Sequence, residues 1–174
     1  DEKIEWGNFF ESDLFEATQF SRESFEPLKG ASILIVGASG FVGSWLAAVL
    51  IYANRRYNLD YEVTLSFRSL EKMNYSLKLD LLPDVLNIQG DLHEVSKHII
   101  FHDLSYSHVI HAATSTSTKF TATDTECVLN GTAALLKAVT LRVKPIFMHL
   151  SSGAVYGAEA RENLVILETE TKAN

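Results

Sequence analysis

The sequence predicts an α/β fold, a doubly wound parallel sheet that stops after about five strands. Three observations carry that prediction. From residue 31 onward, short β-rich runs alternate with longer segments of helical period. The connections between runs are too long for hairpins, so the strands lie parallel, with right-handed crossovers and helices on both faces. The first run, Ser32-Ile33-Leu34-Ile35-Val36, is apolar without interruption, the pattern of a strand covered on both sides.

In chain order, residues 1–30 read as a helical arm. Trp6, Phe9, Phe10, Leu14, Phe15, Phe20 and Phe25 are spaced among acids as in short amphipathic helices, and Pro27 and Gly30 close the segment. Such an arm packs on the body or against a second subunit. Residues 31–174 form the remaining domain. Its first strand is 32–36, followed by a helix over 41–54 and a second strand over 61–67. A mixed segment containing Pro83 leads to a third strand at 85–89 and a short helix over 93–102. The fourth strand covers 107–111. A long helix over 124–142, capped by Thr123 or Asp124, precedes the fifth strand at 145–150.

Composition narrows the function classes. At 174 residues, with 47% hydrophobic and 21% charged residues, the chain is long and apolar enough to bury a core without cross-links. Its single cysteine, Cys127, excludes an intrachain disulfide, and no zinc-ligand spacing is present, so no metal is expected. No apolar run reaches eighteen residues, so no membrane span is expected. The start, Asp1-Glu2-Lys3, lacks the order of a secretory signal, which predicts a cytoplasmic protein. The net charge of −7 lies mostly in residues 1–29, which hold eight acids and three bases. The rest is near neutral and lacks the basic face that nucleic acid requires.

In a doubly wound sheet, ligands sit at the carboxyl ends of the strands, where strand order reverses. The first strand ends there in Gly37-Ala38-Ser39-Gly40-Phe41-Val42-Gly43, a G-x-x-G-x-x-G turn that opens into a helix. Glycine permits positive φ and close approach to a diphosphate, and the helix N-terminus offers N–H groups to negative charge. Gly37, Ser39, Gly40, Phe41, Val42 and Gly43 are therefore the candidate cradle of a dinucleotide; a purely structural tight turn is the alternative.

The glycine spacing resembles the extended short-chain dehydrogenases, the NAD-dependent nucleotide-sugar epimerase and dehydratase group, over residues 32–157. The resemblance implies a Rossmann-type domain and assigns roles at the other strand ends. Asp91, in Gly90-Asp91-Leu92, corresponds to the acid that contacts the adenine amino group, and Leu92 accompanies it. His111-Ala112-Ala113-Thr114 resembles the H-x-A-A segment, which places Ala112, Ala113 and Thr114 against the diphosphate and nicotinamide ribose. His111 itself reads as a packed histidine. Residues 124–137 resemble the helix that usually carries N-V-x-G-T, with Val128 standing where the Asn is expected. Ser151-Ser152-Gly153-Ala154-Val155-Tyr156-Gly157 resembles the S/T-S-x-x-V-Y-G segment, in which the residue at Ser152 bonds the sugar hydroxyl being oxidised. Tyr156 is structural by the same comparison.

Two departures bear on mechanism. The second strand ends Ser66-Phe67-Arg68-Ser69, with Phe67 where an acid would hold the ribose 2′-hydroxyl. Arg68 suits the adenine face or a 2′-phosphate, so the residues lean toward NADP while the resemblance leans toward NAD. In addition, none of the six tyrosines has lysine four residues later, whereas the family carries Y-x-x-x-K on the helix after the fifth strand. The expectation is that this chain is the cofactor-binding half of a longer enzyme, inactive alone, with strand five left as an uncovered edge.

The function implied is transient oxidation at C4 of a nucleotide-diphosphate sugar. Gly153-Ala154 stands where dehydratases carry Asp-Glu, which favours epimerisation or decarboxylation over 4,6-dehydration; His93 and Lys119 remain as substitute acids. The alternatives are an NADP-dependent carbonyl reductase of the same superfamily and a non-catalytic dinucleotide-binding module. In the resembled family the helices that pair subunits include the one matching residues 124–142, which makes a homodimer one arrangement that the resemblance allows.

Overall fold

β1, Ser32–Val36, lies at the centre of a five-stranded parallel sheet and divides its side chains between two cores. Ile33 and Ile35 face one side with Leu65, Ala47, Ala48 and Ile51, while Leu34 and Val36 face the other with Ile88, Val95, Val109 and Leu135. Burial on both faces is why the run shows no polar alternation. The computed structural model describes residues 11–20, 22–69, 85–113 and 121–152.

The order of elements is α1 (Glu11–Phe20), α2 (Arg22–Phe25), a 3-10 turn (Glu26–Leu28), β1, α3 (Phe41–Tyr57), β2 (Glu62–Phe67), β3 (Leu86–Gln89), α4 (Leu92–Phe101), β4 (His108–His111), α5 (Ala122–Val139) and β5 (Ile146–His149). In space the strands run β3-β2-β1-β4-β5, the Rossmann order. β1 pairs with β2 from Ser32↔Glu62 to Val36↔Ser66, and with β4 from Ile33↔His108 to Val36↔His111. The chain therefore leaves β1 toward β2 and β3, then returns to the other side for β4 and β5. The switch point falls between β1 and β4.

The arm packs through Leu14 and Phe25, both buried with the α3-side core, and through Thr18, whose Oγ1 donates to the Leu14 carbonyl at 2.9 Å. Phe15 and Phe20 do not share that core. Phe20 is 93% exposed, and the Arg56 guanidinium lies 4.4 Å from the centre of the Phe15 ring. With α1 one helix of ten residues, only the positions facing α3 are covered.

Helix boundaries correct several of the sequence expectations. α3 continues to Tyr57 and stops at Asn58, which adopts the left-handed conformation at φ 51°. α5 begins earlier than expected, because its cap is Thr121 and not Thr123 or Asp124. The Thr121 hydroxyl accepts from the Asp124 N–H, and the Asp124 carboxylate accepts from the Thr121 N–H. This T-x-x-D capping box closes two orphan donors at once, and its cap stands two residues before the Thr123-Asp124-Thr125-Glu126 run that has the same Thr-to-acid spacing in sequence. β5 pairs only with β4 among the described residues. Ile146 and Met148 stay largely exposed and, with Leu28, Ile33, Leu50 and Ile110, line an apolar groove of about 160 Å³.

Candidate functional site

The carboxyl edge of the sheet is held together by backbone hydrogen bonds between successive strand exits. Gly90 N–H donates to the Phe67 carbonyl at 2.9 Å, joining the exits of β3 and β2. Gly37 and Ala38 N–H both donate to the Ser66 carbonyl, at 3.0 and 2.9 Å, joining β1 to β2. Ala112 N–H donates to Val36 at 2.8 Å, and Leu150 N–H to His111 at 3.0 Å, which extends the series across β4 to β5. These bonds fix the loops that carry the candidate residues.

At the switch point the glycine turn lies directly against the exit of β4. Gly37 has φ +86°, and a Cβ placed on it would sit 2.6 Å from Ala113 N and 2.8 Å from the Ala112 carbonyl carbon. Gly43, buried at the third position of α3, would place a Cβ only 2.3 Å from the Gly37 carbonyl oxygen. No side chain fits at either point, so the first turn of α3 is drawn tightly onto the end of β1. Gly40 precedes that helix and contributes no side-chain cap. The N–H groups of Phe41, Val42 and Gly43 have no intrahelical acceptor, and none is supplied among the described residues. Gly40, Phe41 and Val42 are exposed, Phe41 to 81%, while Ser39 is half-buried beside them. The result is an open helix N-terminus at the crevice, suited to a diphosphate.

The remaining expected residues lie along the same edge. Phe67 ends β2 inside the core, and Arg68 is the exposed residue just beyond it. Asp91 caps α4: its Oδ1 accepts from the N–H groups of His93 and Glu94, at 2.8 and 2.9 Å, while Glu94 returns a bond to Asp91 N–H. Leu92, half-buried, packs on α5 where Gly131 leaves room; a Cβ there would approach the Leu92 side chain to 2.9 Å. Ser152 is exposed, three residues past the end of β5. Thr114, Lys119, Gly153, Ala154 and Tyr156 lie outside the described residues.

The structure also brings together groups that sequence reading did not pair. His111 and His149 end their strands in register, with ring centres 4.9 Å apart and edge to face. His111 is 1% exposed; its Nε2 lies 3.2 Å from Thr132 Oγ1, and its Nδ1 makes no hydrogen bond. Burial, and then the neighbouring His149, hold the His111 imidazole below the usual histidine value of 6.5. A lowered folded-state pKa means that the unfolded chain binds more protons below that value. The stability from burying neutral His111 is therefore fully present above about pH 6.5 and is lost as pH falls below it. Urea midpoints taken from pH 7.5 to 5.5 are expected to fall, and to fall less in His111→Gln. His98 shifts in the same direction through partial burial and His102, so both proteins carry His98→Gln for this comparison. Equal slopes would refute the assignment to His111.

Elsewhere, a cavity of about 510 Å³ opens at the amino ends of β1 and β4, bordered by Lys29, Ser105, His108 and Lys144. It lies on the opposite edge of the sheet from the glycine turn.

The arrangement is matched by a known family. The sequence profile of the NAD dependent epimerase/dehydratase family aligns with residues 33–174, nearly the whole body beyond the arm. This chain belongs to that family. Solved structures share its fold: an epimerase of the methanogen Methanothermobacter thermautotrophicus is 21% identical at a TM-score of 0.64, covering 90% of this chain and 45% of that one. The ADP-L-glycero-D-manno-heptose-6-epimerase of Helicobacter pylori is 18% identical at 0.54, covering 83% and 45%. A thiolation-reductase di-domain of an archaeal non-ribosomal peptide synthetase is 19% identical at 0.57, covering 86% and 44%. The chain thus spans less than half the length of each. No curated protein matches it. Membership of an NAD-dependent epimerase/dehydratase family implies a nicotinamide dinucleotide cofactor, and the open N–H groups at the start of α3 fit its diphosphate.

Proposed function

We propose that this chain is the cofactor-binding unit of an epimerase/dehydratase-type enzyme that transiently oxidises C4 of a nucleotide-diphosphate sugar. The observation that carries the reading is the backbone contact between Gly37 and Ala112-Ala113, which places an open helix N-terminus at the β1/β4 switch point. The N–H groups of Phe41, Val42 and Gly43 bind the diphosphate and fix its register along the crevice. Asp91 uses Oδ1 for its cap, leaving Oδ2 for the adenine amino group. Ala112, Ala113 and Thr114 offer small residues along the diphosphate and nicotinamide ribose. When bound, the nicotinamide supplies the hydride acceptor. Ser152 bonds the sugar hydroxyl and orients the reacting carbon. The group that takes the hydroxyl proton belongs to the remainder of the enzyme, so the 174-residue unit binds cofactor without turnover. Epimerisation or decarboxylation is favoured over dehydration, since Gly153-Ala154 carries no acid beside the serine.

Titrating the chain with NAD⁺ and NADP⁺ tests the proposal: one of the two binds at one site per chain, and failure of both would end it. Phe67 and Arg68 favour a second reading of cofactor choice. With a buried phenyl ring where an acid would hold the 2′-hydroxyl, a 2′-phosphate meets no repulsion and finds Arg68 at the exposed strand end. Arg68→Glu is then expected to weaken NADPH by about tenfold or more, the worth of one charge-assisted hydrogen bond, and to spare NADH. Equal change for both cofactors would remove Arg68 from that role.

A further inference from the structure

The C-terminal turn of α4 carries His98 and His102, one turn apart on the same helical face, with ring centres 4.2 Å apart and planes tilted by 41°. His102 caps the helix, its N–H donating to the His98 carbonyl at 3.0 Å, so backbone geometry fixes the spacing of the two side chains. Phe101 stands edge-on against the His102 ring at 4.9 Å and limits its rotation. His98 is half-buried and His102 exposed, which leaves solvent access on one side. The nearest acid in sequence, Asp103, is engaged by Arg142.

We infer that His98 and His102 form a two-imidazole chelate for a divalent transition ion of the copper–nickel class. With a metal–imidazole bond of about 2.1 Å, the ion lies about 3.2 Å from each ring centre. Two rings 4.2 Å apart then subtend about 80° at the ion. That is close to the right angle between adjacent ligands in square-planar or octahedral geometry, and copper and nickel bind imidazole more tightly than the earlier divalent ions of the row. Imidazole nitrogen is a ligand type for copper and nickel, and a poor match for magnesium or calcium, which take oxygen. No group of three or more His, Cys, Asp or Glu gathers among the described residues, so water completes the coordination. Holding both rings on one ion clamps the last turn of α4 where it meets Arg142 and the end of α5.

The competing structural explanation is that the two histidines only complement the helix C-terminus, where positive side chains are favourable. That explanation requires no metal affinity. Calorimetric titration of the tag-free chain with nickel chloride separates the two. One Ni²⁺ per chain is expected, with no response to magnesium chloride. His98→Gln and His102→Gln each remove one of two ligands and are expected to weaken binding by about tenfold or more, whereas His93→Gln and His149→Gln retain it. Nickel should also raise the unfolding midpoint of the wild type, and not that of His102→Gln. Because His102 is exposed, its variant folds even if the half-buried His98 does not tolerate change. Absence of nickel binding, or wild-type affinity in His102→Gln, overturns the inference.

Discussion

Gly37→Ala is expected to weaken dinucleotide binding by about 100-fold or more and to destabilise the fold by about 2–5 kcal/mol, the sum of left-handed backbone strain and overpacking. The strain arises at φ +86°, and the overpacking from a Cβ set 2.6–2.8 Å from the backbone of Ala112 and Ala113. No rotamer relieves a collision with main chain. Either the β4 exit moves away, or the turn unwinds and carries the N–H groups of Phe41 to Gly43 out of position. Losing two hydrogen bonds to a charged diphosphate, at about 1.5–3 kcal/mol each, weakens binding by about 100-fold or more. Gly30 supplies the control. It has φ +70°, but a Cβ there meets nothing within 4 Å, and it sits at the amino end of β1. Gly30→Ala should cost only the backbone strain, about 1–2 kcal/mol, and leave cofactor affinity unchanged. Gly43→Ala isolates the other half of the effect, since its φ is helical and only the 2.3 Å approach to the Gly37 carbonyl is violated. Should Gly37→Ala bind cofactor as well as Gly30→Ala does, the crevice is not the dinucleotide site. Unfolding curves and calorimetric titration of the three variants give both quantities.

The features legible in the sequence are those written in local chemistry. β1 announced itself by an apolar run, because both faces are covered and no position had to be polar. The glycine turn is readable from its spacing between an apolar strand and a helix, although the close packing that requires Gly37 comes from the distant β4 exit at Ala112 and Ala113. Asp91 stands out in the sequence through the resemblance, as an adenine contact; in the structure it caps α4 through Oδ1. What escaped depends on pairing between distant segments. His111 and His149 meet only because β4 and β5 align in register, and nothing near either residue encodes that alignment. Gly131 looked like part of a family helix, yet its lack of a side chain accommodates Leu92, thirty-nine positions earlier. The α5 boundary was missed for a different reason. Thr121, Thr123 and Asp124 are all plausible caps in composition, and only the reciprocal bonds between Thr121 and Asp124 select one. The aromatic spacing of the arm overstated its burial, since Leu14 and Phe25 reach the core and Phe20 does not.

Ser152→Ala, in an enzyme that contains this unit together with its substrate-binding remainder, is expected to lower kcat by about 10²–10³-fold, the usual cost of removing one preorganised hydrogen bond to the reacting oxygen. The expectation follows from position. β5 is the strand next to β4, and the Leu150 N–H bond to His111 holds its exit beside the loop of Ala112 and Ala113. Ser152 thus follows the strand exit on the same edge as the glycine turn, separated from β1 only by β4. In the proposed role, a hydroxyl that both donates and accepts would follow the sugar oxygen as it passes from alcohol to carbonyl. Alanine keeps the backbone and removes both capacities. Cofactor affinity should stay at the wild-type value, and unfolding curves of the two proteins separate any loss of stability from the loss of rate. Ser152→Thr retains the hydroxyl and should recover most of the rate. KM should shift little beside kcat, since the bond is worth most as charge develops on the oxygen. An alanine variant with kcat within about threefold of the wild type would place the reacting hydroxyl elsewhere along this edge.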